Sequence, residues 1–224
     1  MTTTSSSLDL SQLAARLSGE LHFDHSMRTL YATDASEYQE LPLAVAFPKS
    51  ESDVSELIRL AARHRVGLIP RTAGTSLAGQ VVGAGIVVDL GREMNRIISI
   101  DAAQRRVRVQ PGVVRNELNH VLQPYGIFFG PETSTANRAM IGGMVGNNSC
   151  GSNSIVYGST REHLVSARGF LSDGSEVTFG PLTEKEFQAK CEVPGNSLEK
   201  QIYCHCRNLL SLPENRDLIR NNFP

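Results

Sequence analysis

Residues 41 to 90 hold the pattern that most restricts what this chain can fold into: short, wholly apolar runs alternate with a single amphipathic stretch. LPLAVAFP (41–48) is an apolar run closed by proline and reads as a buried strand. In SESDVSELIRLAARHRVG, Ser50 suits a helix cap and Glu51 and Asp53 suit the positive helix end. Arg63, His64 and Arg65 suit the negative end, with Gly67 as the stop, while Val54, Leu57, Ile58 and Ala61 make one apolar face. VGLIPR then returns as a second strand, the loop PRTAGTSLAGQ (70–80) leaves from its end, and GIVVDL (85–90) reads as a further strand. Ligands of such strand-helix-strand units favour the carboxyl ends of strands, which is where this loop falls.

The rest of the chain is less regular. Thr2 to Ser7 offer nothing to bury and read as a disordered tail, followed by a short amphipathic helix from Leu8 to Leu17 with Leu10, Leu13, Ala14 and Leu17 on one face. RIISID (96–101) and RRVRVQ (105–110) form a hairpin. A helix carrying Val114, Leu118, Val121 and Leu122 follows and stops at Pro124 and Gly126. Phe128 to Ser159 is a long polar segment with little periodicity, of the kind that is functional or disordered. A second hairpin turns at Ser172-Asp173-Gly174. From Leu182 the chain is charged, helical from about Ser197 to Leu210, and polar to its end.

Charge and composition exclude several functions. The 22 basic and 23 acidic residues form no basic stripe, so nucleic acid is a poor partner. No apolar run approaches the roughly 20 residues that span a bilayer, and the N-terminus lacks the regions of a secretory signal. The four cysteines are therefore expected as reduced thiols in a cytoplasmic protein. Cys204-His205-Cys206 lacks the second ligand pair of a zinc site, and on a helix its cysteines point roughly 200° apart.

The loop at 70–80 can be tested against known phosphate binders. Gly74 and Gly79 have the spacing of a triphosphate loop, but Gln80 and Val81 stand where lysine and a hydroxyl residue are needed. Gly83-Ala84-Gly85 begins a dinucleotide fingerprint that Val88 breaks inside a strand. What remains is a nest of amides that binds an anion without lysine, with Gly74 allowing close approach and Thr72, Thr75 and Ser76 adding hydroxyls. A surface turn of small residues is the plain alternative. A second glycine region, IGGMVGNNSCGSNSIVYG (141–158), offers Gly142-Gly143, Gly146 and the amides of Asn147 and Asn148, suited to the edge of a heterocycle. Two such segments about 65 residues apart could clasp an extended cofactor at both ends.

In order and spacing, PRTAGTSLAGQ, VQPGV, GPETSTANRAMIGGMVGNNSCGSNSIVYGSTREHL and LSDG resemble the FAD-binding domain of the vanillyl-alcohol oxidase/p-cresol methylhydroxylase superfamily. The resemblance is to its D-lactate, glycolate and D-2-hydroxyglutarate dehydrogenase branch, and YATDASEYQELPLAVAFPKS resembles the entry segment of large members with a fused iron–sulfur region. It implies an α+β, PCMH-type FAD-binding fold of two α/β subdomains with FAD between them. The implied division is a tail and short helix (1–19), an FAD-binding domain (20–180, subdomains about 20–91 and 92–180) and a helical linker (181–224) toward a substrate domain. It also implies an FAD-dependent oxidoreductase acting on CH–OH groups by hydride transfer from a D-2-hydroxy acid to flavin N5; a stand-alone flavin-binding or electron-transfer subunit is the alternative.

By the same resemblance, Arg71, Thr72, Ala73, Gly74, Thr75 and Ser76 form the pyrophosphate loop, and Pro131, Thr133 and Ser134 run along the flavin. Ile141, Gly142, Gly143 and Asn147 meet the ribityl chain and ring, and Val165 approaches the adenosine half. Thr75 stands where many covalent members carry histidine, so the FAD is expected to be non-covalent. Cys150 is expected as a small buried residue, with a cysteinyl-flavin bond as the lesser alternative. An iron–sulfur cluster is expected only if a longer parent chain carries it, and a hydroxy-acid substrate only with a substrate domain or partner subunit. The expected location is cytoplasmic, with peripheral membrane association through redox partners as the alternative. No catalytic or metal residue is assigned. His64 and His120 fall near helix ends, while His22, His25, His163 and His205 lack a paired carboxylate at recognisable spacing. Asp34 in TDAS is expected to cap or to hold a turn.

Overall fold

The computed structural model describes residues 9 to 223; the expected tail at Thr2 to Ser7 lies outside the described residues. The chain forms two compact units, the first ending at Leu164 and the second beginning at Val165.

The first unit opens with α1 (Leu10–Ala14), capped by Asp9, then β1 (Glu20–His22) and α2 (His25–Leu30), capped by Asp24. β2 (Ala44–Phe47), α3 (Glu51–His64), β3 (Leu68–Arg71) and β4 (Ile86–Asp89) follow. The four strands make one sheet in the order β1-β2-β4-β3, with β2 and β3 both parallel to β4 and β1 antiparallel to β2. The expected strand-helix-strand unit is present, but β4 inserts between its strands. Proline explains the order. Pro70 has no N–H for a ladder, which confines β3 to an edge, while the all-apolar β2 and β4 are buried at every position, as interior parallel strands require.

On α3 the Ser50 hydroxyl accepts from the Asp53 amide (3.2 Å), as the cap reading expects. The buried face differs from the expected one: Leu57, Leu60 and Ala61 are buried with Asp53, while Val54 and Ile58 are half-buried. The stop also differs, because Arg65 rather than Gly67 takes the left-handed conformation (φ 55°) that ends the helix. Asp53 is buried because it is a fastener. Its carboxylate accepts from the Ser18 amide (2.9 Å), the Ser18 hydroxyl (2.8 Å), the Gly19 amide (3.1 Å) and the Lys49 amide (2.9 Å). Burial alone would raise its pKa, but these hydrogen bonds more than offset that and hold the carboxyl below its usual range.

Later in the same unit, β5 (Ile97–Asp101) and β6 (Arg106–Val109) form the expected antiparallel hairpin. α4 (Arg115–Leu122) buries Leu118 and Leu122 beside Val113, and a 3-10 turn at Gln123–Tyr125 ends at Gly126 in the left-handed region. Val121, expected on the apolar face, is exposed, and Val114 caps the helix. The segment read as a loop contains α5 (Ile141–Gly146) and α6 (Ser154–Tyr157), with a 3-10 turn at Thr160–His163. Glycine-rich α5 has low intrinsic propensity; buried Met144 and Ile141, packed on the Val113 cluster, hold it.

In the second unit, β7 (Ala167–Phe170) and β8 (Glu176–Phe179) pair as the expected hairpin, with Gly174 at φ 81°. α7 (Glu184–Glu192), α8 (Leu198–Ser211) and α9 (Pro213–Asn222) follow. Only α8 was expected. Thr183 with Glu186 forms a capping box for α7, and Pro213 starts α9 at the one helical position where proline is welcome. Cys204 and Cys206 both lie on α8, and the Cys204 thiol points to the Cys191 carbonyl (3.5 Å). Among the described residues no group of three or more His, Cys, Asp or Glu could hold a metal ion, and no helix is long and apolar enough to cross a membrane.

Candidate functional site

The loop after β3 leaves from the carboxyl end of the parallel strands. The Arg71 carbonyl still accepts from the Leu90 amide (2.8 Å), which turns the next N–H, that of Thr72, the opposite way across a trans peptide. Gly74 sits at φ +65°, a conformation that favours glycine, and a Cβ there would lie 2.5 Å from the Arg71 guanidinium, which would have to shift. Among the described residues, the amides of Thr72 to Leu77 find no acceptor in the protein, although Thr72 to Ser76 are half-buried. A row of unpaired N–H groups is free to bind an anion, and with the flanking Thr72 hydroxyl it suits the oxygens of a pyrophosphate, while the Ser76 hydroxyl proton goes to Gln80. The donor set therefore fits a dinucleotide cofactor.

Arg71 faces inward. Its Nη1 donates to the Thr33 carbonyl (2.7 Å), and its guanidinium lies 5.0 Å from the centre of the Tyr31 ring. Tyr31 in turn donates to Asp89 (2.7 Å), and Asp89 accepts from the Gly91 amide (2.7 Å). Burial first, and the Asp89 carboxylate next, push the Tyr31 phenol far above its usual range, so it stays a donor.

The second glycine segment meets the first. On α5, a Cβ at Gly143 would lie 2.6 Å from the Thr72 hydroxyl. Gln80 closes the other end: its Nε2 donates to Asn147 (3.1 Å), and its Oε1 accepts from the Ser76 hydroxyl (2.7 Å). Two segments far apart in sequence thus form one wall. Gln80 was missed by the sequence reading, which used it only to exclude a triphosphate. Gly142 also packs on the protein behind α5. Its amide donates to the Pro111 carbonyl (2.8 Å) and a Cβ would lie 2.5 Å from the Pro111 ring, so its missing side chain makes room for protein. Asn148 is in the left-handed region (φ 46°), and its Oδ1 accepts from the Ser159 hydroxyl and the Arg161 amide, tying down the following turn.

The remaining expected positions are scattered in character. Pro131 is fully buried, with its carbonyl accepting from Arg115 (3.0 Å). The Thr133 hydroxyl is 3.3 Å from that of Thr135, and Ser134 is exposed. Cys150 is exposed, against the expectation of a small buried residue; the room there is taken by Gly151, whose missing Cβ lets it abut the Glu132 carbonyl. Val165 is the first residue of the second unit, with an exposed side chain. His22, expected to lack a carboxylate, has two: Nε2 is 3.0 Å from Glu20 and Nδ1 is 3.8 Å from Asp24. The fold pairs them through a strand end and a helix cap. His22 and Glu20 lie on β1, at the opposite edge of the sheet from β3, and Asp24 follows as the cap of α2.

Comparison with known proteins points to the same class of cofactor. Residues 42–180 match the family described as FAD binding domain. The chain is 39% identical over 209 residues to D-2-hydroxyglutarate dehydrogenase of Pseudomonas putida, covering 92% of this chain and 20% of that one. It is 31% identical over 182 residues to glycolate oxidase subunit GlcD of Bacillus subtilis, covering 80% of this chain and 39% of the relative. The chain thus spans about a fifth of the length of the D-2-hydroxyglutarate dehydrogenases it matches. Among solved structures, BBE-like 1 of Physcomitrella patens superposes with a TM-score of 0.68 at 19% identity, over 80% of this chain and 39% of that one. The 6-hydroxy-D-nicotine oxidase of Arthrobacter nicotinovorans does so with 0.64 at 23%, over 80% and 37%. At these identities the likeness shows a shared fold.

Proposed function

This chain belongs to the FAD binding domain family, and we propose that it is the cofactor-holding part of a flavin-dependent D-2-hydroxy-acid dehydrogenase of lactate- or glycolate-like type. Bound FAD supplies a two-electron acceptor at N5 for hydride from a hydroxyl-bearing carbon. Everything else is the protein's work. In the loop Arg71 to Ser76, the amides from Thr72 onward take the pyrophosphate with the Thr72 hydroxyl beside them, while Arg71 braces the loop and Ser76 shapes it through Gln80. Gly143 and Asn147 bound the ribityl chain and ring, Ile141 and Gly142 hold α5 against the protein behind it, and Pro131, Thr133 and Ser134 support the flavin's flank. Val165 serves the adenosine half. We place the FAD-binding domain at about 20–180, divided near residue 91, with 181–224 as a helical segment leading toward a substrate domain. That domain, or a partner subunit, binds the hydroxy acid and takes its proton. The reading places the enzyme in the cytoplasm.

The observation that carries the proposal is the closure of the two glycine segments into one wall, through Thr72 against Gly143 and Gln80 to Asn147. The test is direct: add FAD to the purified chain, desalt it, and record the visible spectrum. Retained flavin absorption at near one per chain is expected. A folded chain that emerges colourless, and whose melting temperature FAD does not move, would overturn the assignment.

A further inference from the structure

The TDAS motif (33–36) lies outside the positions assigned to the cofactor, yet it is fastened to the cofactor loop along the loop's length. Arg71 reaches the Thr33 carbonyl at the loop's start (2.7 Å), and the Ala35 amide donates to the Gly74 carbonyl at its middle (3.1 Å). Gly79 lies so close to Tyr38 that a Cβ would come 2.7 Å from the ring. What shapes this backing segment is Asp34. Its Oδ1 accepts from both the amide (2.8 Å) and the hydroxyl (2.5 Å) of Ser36, a local turn that encloses Ala35. The Ser36 hydroxyl then accepts from the Tyr38 amide (3.1 Å). The other carboxylate oxygen, Oδ2, is buried without a hydrogen-bond partner, and the Val81 amide at the loop's end lies close enough to favour the charged carboxylate. Burial pushes this carboxyl up, but Ser36, Val81 and the Arg71 charge more than offset it and hold it below the usual carboxylate range.

The Gly74 carbonyl matters because a trans peptide points its C=O and the following N–H in opposite directions. With that carbonyl tied to Ala35, the Thr75 amide must face away from the backing segment. We infer that Asp34 is a positioning residue of the cofactor loop: by closing the turn around Ala35 it aims the Ala35 amide at the Gly74 carbonyl, and so presents the Thr75 amide to the cofactor's phosphate. This rests on the FAD reading above and adds to it a residue that need never touch the cofactor.

The experiment compares Asp34→Ala, Asp34→Asn and Ser36→Ala with the parent chain by FAD titration and by hydrogen exchange at the Ala35 amide. Asn keeps an acceptor for Ser36 but turns an NH2 group toward the Val81 side, so Asp34→Asn should keep Ala35 protected and weaken FAD clearly less than Asp34→Ala. Asp34→Ala should weaken FAD roughly tenfold, the size of one lost hydrogen-bonded turn, and expose Ala35 to exchange. Ser36→Ala removes the hydroxyl's bonds to Asp34 and from Tyr38 but leaves the Ser36 amide bond to Asp34; it should weaken FAD less than Asp34→Ala, and it decides the matter should Asp34→Ala not fold. Parent-like affinity and parent-like Ala35 protection in the variants that fold would overturn the inference, as would equal damage from Asn and Ala. If the parent chain binds no FAD, the functional reading fails on its own, and Ala35 exchange alone then judges the role of Asp34.

Discussion

Gln80 stands where a triphosphate loop would carry its lysine, and in the fold it joins the two glycine segments proposed to hold FAD. An amide can accept from Ser76 with one atom and donate to Asn147 with the other, which a lysine cannot do. Gln80→Ala and Asn147→Ala should each weaken FAD by about fivefold, the worth of one exposed hydrogen bond, and the double variant should be little worse than either. Independent, multiplying losses in that cycle would show that the bridge does not act as a unit. Gly142 makes a different prediction. Its absent Cβ would press on Pro111, so Gly142→Ala should destabilise the fold by about 1–3 kcal/mol through overpacking, visible as a lower melting temperature without FAD. An unchanged melting temperature with lost FAD affinity would favour the role first expected for it. At this scale the residue types were legible and their partners were not: both glycines read alike in the sequence, yet one faces Thr72 and the other Pro111.

Among the elements, those with a strong apolar period were legible. β2, α3, β4 and the β5–β6 hairpin form where the pattern of apolar residues places them. α5 was read as loop because three glycines in six residues carry little helical preference, and only burial of Met144 on its inner side makes it a helix. α7 and α9 were missed because charged segments give no apolar stripe. Asp53 links several elements at once, binding the α1–β1 connection and the start of α3 through its four hydrogen bonds. Its pKa is depressed in the folded state, so its contribution is present above the unfolded value near 3.8 and is lost as pH falls through the folded value. Asp53→Ala should cost about 2–4 kcal/mol at neutral pH by leaving buried donors unpaired. The variant's deficit relative to the parent should shrink on acidification below about pH 4. A deficit that stays constant down to pH 2 would show that the carboxylate's charge is not what binds these elements.

For the whole molecule, FAD acts as a stabiliser of the folded state alone. At a thousandfold excess over its dissociation constant it should add about 4 kcal/mol, read as a rise in melting temperature that grows with FAD concentration. Acid precipitation should release the flavin into the supernatant, because Thr75 is not a nucleophile that links to it; flavin pelleted with the protein would point to the exposed Cys150 instead. The α+β, PCMH-type FAD-binding fold anticipated from the motifs is the fold the chain has. The sequence by itself determined the loop at the carboxyl end of β3 through apolar period and glycine, and it carried the ordered motifs whose resemblance to a known family implied the fold class and the flavin. Only the tertiary structure decided that β4 lies between β2 and β3, that Thr72 meets Gly143, that Gln80 reaches Asn147 and that Asp34 backs the loop. Those are pairings between residues distant along the chain, set by which surfaces can be buried together, and no local pattern encodes them.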